Sequence, residues 1–316
     1  MSAPFRLAFG ISIALCLCIG AQASAAPQAR IDVGIYASDV PRFDRLTGQH
    51  SDSGLDFLGW DQGRTWGKQY SYFLDVLGDR PHIDLKAKGR GGAISTKAIA
   101  LGQGDAHLTG VALAIAESGK PVLLRPLGEM NNSLNVYCAC RGGAANSTDW
   151  YRRAFRRIYI IMHGGTATAM SAKLRALGMP GVAIDVPQNP YPHLTVVWNP
   201  LAVGVPPVRG NGFRDYFPGT AYFDAYGNDY YDFGTYSFVR TTELYEAYPD
   251  KPFVIPEWGL AVDDPGYVRA FADFVRQHRR VKFIGFFNGR AGELFDLGSK
   301  PKSLAAYRRY IVPLTR

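Results

Sequence analysis

The sequence predicts a single (β/α)8 barrel on three observations. Eight short apolar segments typical of buried strands alternate with segments of helical pattern along residues 29–312. The 316 residues are enough for such a barrel, which commonly needs ~250 residues. Two of the apolar segments end in a glutamate, Glu129 and Glu257, and barrels of this kind carry their active sites at the strand ends. An open doubly wound sheet is the alternative, but no Gly-x-Gly-x-x-Gly turn follows the first strand.

The first half of the barrel contains four predicted strands. Alternation of apolar residues from Ile31 to Ala37 is typical of a strand, and the other three candidates are 55–60, 82–86 and 122–127. The intervening helices are predicted over about 66–77, over a stretch capped by Ser95 that runs through Ala100, and over 105–118.

The second half repeats the alternation. A long amphipathic helix starts at Asp149, and strands are predicted at 194–198, near 225–231, at 253–256 and at 282–287. Asp264 and Pro265 supply an N-cap and a first helical residue for a helix through Gln277. A last helix covers about 303–311, and no linker or internal repeat divides the chain.

The N-terminus has the pattern of a secretory signal. Arg6 precedes an apolar run over 7–20 and then small residues, which predicts a signal peptide of residues 1–25 with cleavage after Ala25. The run is short for a membrane span, and no other segment could cross a membrane. We therefore expect a secreted or periplasmic protein without a membrane partner.

Two cysteines, Cys138 and Cys140, remain after this segment. In an oxidising compartment they could form a small disulfide, and two free thiols are the open alternative. Their spacing is not a zinc signature, and no metal or organic cofactor is expected.

The formal charge of +8 is spread along the chain. The basic residues are not interleaved with aromatic ones as in a nucleic-acid groove, so no nucleic-acid partner is expected. A basic secreted protein could favour an acidic polysaccharide, and a solvated basic surface is the simpler interpretation. The oligomeric state does not follow from the sequence.

The paired glutamates point to glycoside hydrolysis. This chemistry needs one carboxyl group that protonates the leaving oxygen and one carboxylate that attacks the anomeric carbon. Retention of configuration requires the two groups ~5–5.5 Å apart, which neighbouring strand ends on one rim can provide. Two exposed rim glutamates without a catalytic role are the simpler alternative.

Several motifs, in order, resemble glycoside hydrolase family 26, which contains many β-mannanases. The similar segments cover most of residues 30–312, and they are 97–105, 119–122, 125–131, 197–200, 216–219, 222–224, 229–231 and 251–259. The resemblance implies a retaining mechanism with Glu129 as acid/base and Glu257 as nucleophile. It further implies substrate-binding roles, with Arg125 and Asn131 holding the sugar, Tyr231 bonded to the nucleophile, and Trp198 and Trp258 lining the cleft.

The chain departs from the family pattern at three places. Gly128 stands where the family usually has histidine, and the loop after Asn131 lacks the usual tryptophans. The aromatic platform of the eighth strand is Phe286 or Phe287 instead of tryptophan. We expect Gly128 to leave room for a bulkier or substituted sugar, so that plain mannan is a poor substrate.

Two function classes follow. The first is a secreted retaining endo-glycosidase acting on β-mannan or on a bacterial exopolysaccharide. The second is a non-catalytic carbohydrate-binding protein on a degenerate barrel. Retention of both glutamates favours the enzyme. A polysaccharide is the expected partner in either case.

Overall fold

Parallel strands close on themselves into one barrel, as the sequence predicts. The computed structural model describes residues 31–37, 39–64, 69–141, 143–235 and 241–315. The strands in this part of the chain are β1 (Asp32–Tyr36), β2 (Ser53–Leu58), β3 (His82–Leu85), β4 (Lys88–Gly89), β5 (Gly92–Ala93), β6 (Val122–Pro126), β7 (Leu194–Trp198), β8 (Ala225–Gly227), β9 (Tyr230–Asp232), β10 (Phe253–Leu260) and β11 (Val281–Phe287).

The ring runs β1, β2, β3, β6, β7, β8, β10, β11 and back to β1, and every pairing in it is parallel. The short strand β9 follows β8 in the chain and pairs with the same neighbour, β10. It pairs with the end of β10, where Trp258 lies opposite Tyr230. Strands β4 and β5 form a small antiparallel hairpin after β3. Because all barrel strands run the same way, their C-terminal ends meet at one rim.

Helices connect consecutive strands and cover the outside of the barrel. They are α1 (Val40–Thr47), α2 (Tyr70–Val76), α3 (Thr96–Ala100), α4 (Asp105–Ser118), α5 (Thr148–His163), α6 (Ala167–Ala176), α7 (Thr242–Glu246), α8 (Pro265–Gln277) and α9 (Pro301–Ala306). Ser95 caps α3 by accepting from the amide of Ala98 at 3.1 Å, and Asp264 caps α8, as predicted. The last helix continues into a π-helical turn over Tyr307–Ile311.

Helices α1, α6 and α7 and the β4–β5 hairpin were not predicted from the sequence. Helix α6 has a cap in Thr166, which accepts from the amide of Ala169 at 3.2 Å, but its sequence lacks a strong apolar stripe. The predicted helix over 66–77 is observed from Tyr70, since residues 65–68 lie outside the described part. The proposed signal peptide, residues 1–25, also lies outside it.

Side chains inside the barrel form layers. The lower layer is largely apolar, and His82 packs edge-on against one of its members, Phe283, at 5.3 Å. The apolar members are Leu123, Val197, Ala225, Val254 and Phe283. Side chains alternate in direction along a strand, so the next inward position lies two residues closer to the C-terminal rim. On β6 and after β7 these positions are Arg125 and Asn199, both fully buried. A polar layer therefore lies on an apolar floor, directly beneath the rim.

No helix in the described ranges combines the length and apolar character needed to span a bilayer.

Candidate active site

Glu129 lies three residues beyond the end of β6, on a backbone that turns sharply. Leu127 and Glu129 both have positive φ angles, 52° and 51°, which side-chain-bearing residues rarely adopt. The amide of Glu129 donates to the carbonyl oxygen of Asn199 at 2.7 Å, which ties this turn to the end of β7. Strained backbone of this kind is concentrated at functional sites because surrounding contacts must hold it in place.

Glu257 lies within β10, and the residue is 7% exposed. One carboxylate oxygen accepts from the guanidinium of Arg125, and the other accepts from the hydroxyl of Tyr231 at 2.7 Å. Its amide donates to Asp229 at 3.1 Å. The bond between Tyr231 and Glu257 that the resemblance implied is therefore present, and it fixes the direction in which the carboxylate points.

Arg125 is the centre of the buried charges. Its guanidinium donates to Asp84 at 2.9 Å, to Asp229 at 2.6 Å and to Glu257. Lys86 also pairs with Asp84, at 2.9 Å. Burial alone would raise the pKa of Asp84, but the charges of Arg125 and Lys86 outweigh burial and hold it below the usual value. The hydrogen-bond partners of the buried carboxylates thus include shared cations.

Glu129 has a different environment from Glu257. Burial and the nearby charge of Glu257 raise the pKa of Glu129, and the cations Arg125 and Lys86 oppose that rise only in part. Its carboxyl group accepts one hydrogen bond from Asn132, at 3.1 Å. Glu257 by contrast is bonded directly to the guanidinium of Arg125 and to the hydroxyl of Tyr231. Divergent surroundings for two neighbouring carboxyl groups are the usual means of creating an acid and a nucleophile.

Aromatic rings border the two glutamates at the rim. Phe287 stacks on Tyr36 with ring centroids 4.5 Å apart, and Phe57 meets Tyr36 edge-on at 5.3 Å. Phe286 is fully buried on the other face of β11, so Phe287 is the aromatic residue that the eighth strand presents to the site. Phe295 extends this wall by packing against Tyr231 at 5.2 Å.

The two predicted cleft tryptophans are in the core instead. Trp198 is 0% exposed and packs against Phe223 with ring centroids 5.7 Å apart. Trp258 is also 0% exposed and stacks on Phe271 of α8 at 4.1 Å. Both rings face outward toward the helical layer, so the prediction that they line the cleft is wrong.

Asn131 and Arg125 also have no surface for a sugar, since both are fully buried. The amide side chain of Asn131 donates to and accepts from the backbone of Leu201, at 2.8 Å in both bonds. It therefore holds the loop of Glu129 against the loop after β7. Arg125 acts on the carboxylates beneath the rim. The predicted sugar contacts of these two residues are replaced by structural and electrostatic roles.

The space at Gly128 is not empty, contrary to the prediction. A Cβ atom there would lie 2.8 Å from Nε of Arg125 and 3.1 Å from its Cδ. The side chain of Arg125 therefore passes directly over Gly128 on its way to the carboxylates. The carbonyl of Gly128 is also bonded, because the hydroxyl of Tyr137 donates to it at 2.6 Å.

The loop after Glu129 carries a disulfide between Cys138 and Cys140, which resolves the two alternatives for these residues. Within the described part of the chain, no three histidine, cysteine or acidic side chains gather as a metal site would require.

Three buried residues of the site were not assigned a role from the sequence: Asp84, Asn199 and Asp229. Asn199 donates to Asp229 at 3.0 Å, and Asp229 bonds both Arg125 and the amide of Glu257. The sequence signal available for Asp84 was its position as an acidic residue inside the apolar strand around Ile83. Asp229 and Asn199 stand in segments similar to the family, next to residues that were singled out.

Comparisons with known proteins agree with this architecture. No model of a protein family matches the chain. One curated relative, endoglucanase H of Acetivibrio thermocellus, is 24% identical over 289 residues, which is 87% of this chain. The chain spans 29% of the length of that relative.

Several solved structures share the fold over most of this chain. A mannanase from Bacillus subtilis has a TM-score of 0.56 at 18% identity, covering 89% of this chain and 85% of its own. An endo-β-1,4-mannanase double mutant from Cellulomonas fimi has a TM-score of 0.59 at 17% identity, covering 91% and 72%. A family 26 β-mannanase from Bacteroides ovatus has a TM-score of 0.56 at 15% identity, covering 91% and 88%. The predicted resemblance to glycoside hydrolase family 26 is thus confirmed at the level of the fold.

Proposed function

We propose that the protein is a secreted retaining endo-glycosidase that cleaves β-linked polysaccharide, with Glu129 as acid/base and Glu257 as nucleophile. The observation that carries the proposal is the unequal environment of the two carboxyl groups. Glu129 has a raised pKa, whereas Glu257 is bonded to Arg125 and Tyr231. The names of the fold neighbours, which are mannanases, support the same reaction class.

In the first step, a carboxylate oxygen of Glu257 attacks the anomeric carbon as the glycosidic bond breaks. Glu129 gives its proton to the departing oxygen, so the aglycone leaves as an alcohol. The product is a covalent glycosyl ester of Glu257. The hydroxyl of Tyr231, 2.7 Å from the carboxylate, orients the attacking group before the reaction.

In the second step, Glu129 is ionised and removes a proton from water as the water attacks the same anomeric carbon. The ester bond to Glu257 breaks, and the carboxylate returns to its bonds with Arg125 and Tyr231. The two displacements each invert the centre, so the configuration is retained overall. Apart from the attacking water, both steps use only the carboxyl groups of Glu129 and Glu257 and the residues that bond them.

The substrate we propose is a β-mannan or a bacterial exopolysaccharide. The rings of Tyr36, Phe57 and Phe287 offer a wall against which sugar faces can pack. Export is inferred from the signal pattern of residues 1–25.

The test is a screen of the purified protein without residues 1–25 on mannan, glucan, xylan and exopolysaccharides, with product sizes recorded. Glu257→Ala should abolish turnover of a cleaved substrate, and azide should restore it by replacing the nucleophile. Glu129→Ala should slow natural substrates strongly but spare the first step on substrates with good leaving groups. Wild-type activity in both variants would refute the assignment, and sugar binding without any turnover would favour a carbohydrate-binding protein.

A further inference from the structure

A groove opens at the rim beside the ends of β2, β3 and β6, and we call it the basic groove. One side is formed by Lys86, Lys88 and Arg90, which belong to the end of β3 and to the hairpin of β4 and β5. The opposite side is formed by residues 134–137 of the loop that follows Glu129. The ring of Phe57 lies between them. None of the described residues that line this groove is acidic.

The basic groove is continuous with the catalytic carboxyl groups. Lys86 lines the groove and pairs with Asp84 at 2.9 Å beneath it. From the other side, Asn135 donates to the carbonyl of Glu129 at 2.9 Å. A chain bound across Glu129 therefore has the basic groove as its immediate extension. Lys86 and Asn135 therefore belong both to the groove and to the surroundings of the catalytic carboxyl groups.

Aromatic and cationic groups are combined in the groove. The ammonium of Lys86 lies 5.0 Å from the ring centroid of Phe57. Lys88 and Arg90 are exposed on the hairpin that closes the same side. A flat ring beside positive groups suits a sugar unit that bears a negative substituent, because the ring face packs on the sugar carbons and the cations meet the anion.

Charge is segregated between two sides of the rim. A second depression, next to Tyr36 and Phe287, is lined by Asp56 and Glu293 together with Arg290. That side is mixed in sign, whereas the basic groove is not. Lys86, Lys88 and Arg90 therefore place positive charge together beside the site, on a side whose described lining has no acidic residue.

We propose that the basic groove is a subsite for a sugar unit carrying a carboxylate, which makes the preferred substrate an acidic β-linked polysaccharide. This inference rests on the proposed function and narrows its substrate class. Lys88 and Arg90, both exposed on the hairpin, bind the carboxylate from the same side of the groove as Lys86. Phe57 supports the ring of the same sugar unit.

The test compares oligosaccharides that differ only at C6. β-1,4-mannuronate tetramer is paired with β-1,4-mannotetraose, and β-1,4-glucuronate tetramer with cellotetraose. Binding is measured by calorimetry in a Glu257→Gln protein, so that no turnover intervenes. The variants are Lys88→Ala, Arg90→Ala and the double substitution. Lys173→Ala, which removes an exposed lysine from α6 on the outer surface, is the matched control.

We expect at least one acidic tetramer to bind about tenfold more tightly than its neutral partner, as charge-assisted bonds to Lys88 and Arg90 would give. The double substitution should remove that preference and leave neutral binding within about twofold, and Lys173→Ala should change neither. The preference should shrink between ~0.01 M and ~1 M salt, where the Debye length falls from ~30 to ~3 Å.

Equal binding of the acidic and neutral partners in both pairs would overturn the subsite, as would a preference that survives the double substitution. The binding assay does not depend on turnover. Acid-selective binding without cleavage of any polysaccharide would therefore refute the proposed catalysis and retain the subsite. Cleavage of neutral polymers without acid-selective binding would support the proposed catalysis and refute the subsite.

Discussion

At the scale of single residues, Arg125 decides how negative charge is shared in the site. It is fully buried and bonds Asp84, Asp229 and Glu257, so three carboxylates depend on one guanidinium. An unpaired buried carboxylate is costly, and a shared guanidinium lowers that cost through charge-assisted bonds. Glu129 bonds Asn132 instead, and burial together with the nearby charge of Glu257 raises its pKa.

The raised pKa of Glu129 predicts a pH-dependent effect of Glu129→Gln on stability. A carboxyl group whose folded pKa is above its unfolded value stabilises the fold at low pH, and this contribution is lost as pH rises through the folded pKa. Glutamine removes the cost of ionisation in the folded state. We therefore expect the thermal midpoint of Glu129→Gln, relative to wild type, to increase between pH 4 and pH 7.

The same substitution should slow natural substrates ~10²–10⁴-fold, the usual contribution of general acid catalysis. Wild-type kcat/KM should fall as pH rises through the raised pKa of Glu129, because the proton donor is lost. Thermal unfolding and pH–rate profiles measure the two effects. A stability difference between the two proteins that is constant with pH would contradict the raised pKa.

Gly128→His should damage the site rather than restore ordinary family behaviour. The space that a side chain would enter holds Arg125, whose Nε lies 2.8 Å from an added Cβ. Displacing this guanidinium unpairs buried carboxylates, which typically costs ~3–5 kcal/mol. We expect a lower free energy of unfolding and loss of activity on every polysaccharide, including plain mannan. A stable Gly128→His protein with improved activity on mannan would show that Arg125 can move aside.

At the scale of elements, the segment after β6 is held by neighbouring loops. Asn131 bonds the backbone of Leu201, and the amide of Ser133 donates to the carbonyl of Val205 at 2.7 Å. These contacts join the loop of Glu129 to the loop after β7. They offset the strain of the positive φ at Glu129, which typically costs ~1–3 kcal/mol per residue.

Tyr137→Phe tests whether this segment positions the acid/base. The hydroxyl of Tyr137 donates to the carbonyl of Gly128 at 2.6 Å, and removing it leaves that acceptor only the longer bond from Asn135, at 3.4 Å, which should cost ~0.5–1.5 kcal/mol. We expect that loss of stability together with a lower kcat on natural substrates. Substrates with good leaving groups should be affected less, because they do not need protonation.

Tyr307→Phe is the matched control for this substitution. Tyr307 is fully buried in the C-terminal helical segment, and its hydroxyl bonds the side chain of Gln49. The control should lose comparable stability without a change in kcat. Equal kinetic effects in the two variants would mean that Tyr137 acts only through global stability.

Much of the element order could be predicted from sequence, and side-chain direction could not. Strands such as 194–198 stand out as short apolar runs between turn residues. Parallel barrel strands are apolar on both faces, so periodicity does not distinguish inward from outward positions. The family resemblance implied that Trp198 and Trp258 line the cleft, and no local pattern showed that both are instead fully buried.

The roles of the buried polar residues depend on contacts distant in sequence. Arg125 meets Asp229, 104 positions later, and Glu257, 132 positions later. No local pattern encodes these pairings, and only barrel closure brings the partners together. The glutamates could be found because each stands at the end of a short apolar run in the sequence, whereas Asp84 and Asn199 required the assembled polar layer.

At the scale of the whole molecule, the barrel fixes the distance between the two carboxyl groups proposed to react, Glu129 and Glu257. Glu129 follows β6 and Glu257 belongs to β10, and in the ring these strands are separated by β7 and β8. Both strands end at the same rim, above the apolar floor. The separation of the carboxyl groups, and with it the stereochemical outcome, is thus a property of barrel closure.

This arrangement predicts that the first product keeps the anomeric configuration of the bond that is cleaved. A nucleophilic Glu257 requires the carboxyl groups to be ~5–5.5 Å apart, because the carboxylate itself contacts the anomeric carbon. Inversion requires ~6.5–9.5 Å, because a water molecule must fit between the second carboxylate and the sugar. Proton NMR during the first minutes of hydrolysis, before mutarotation, measures the outcome. Glu257→Ala rescued by azide should give a glycosyl azide of the opposite configuration, because only one displacement occurs. A first product of inverted configuration in the wild type would exclude Glu257 as nucleophile and make it the base for an attacking water.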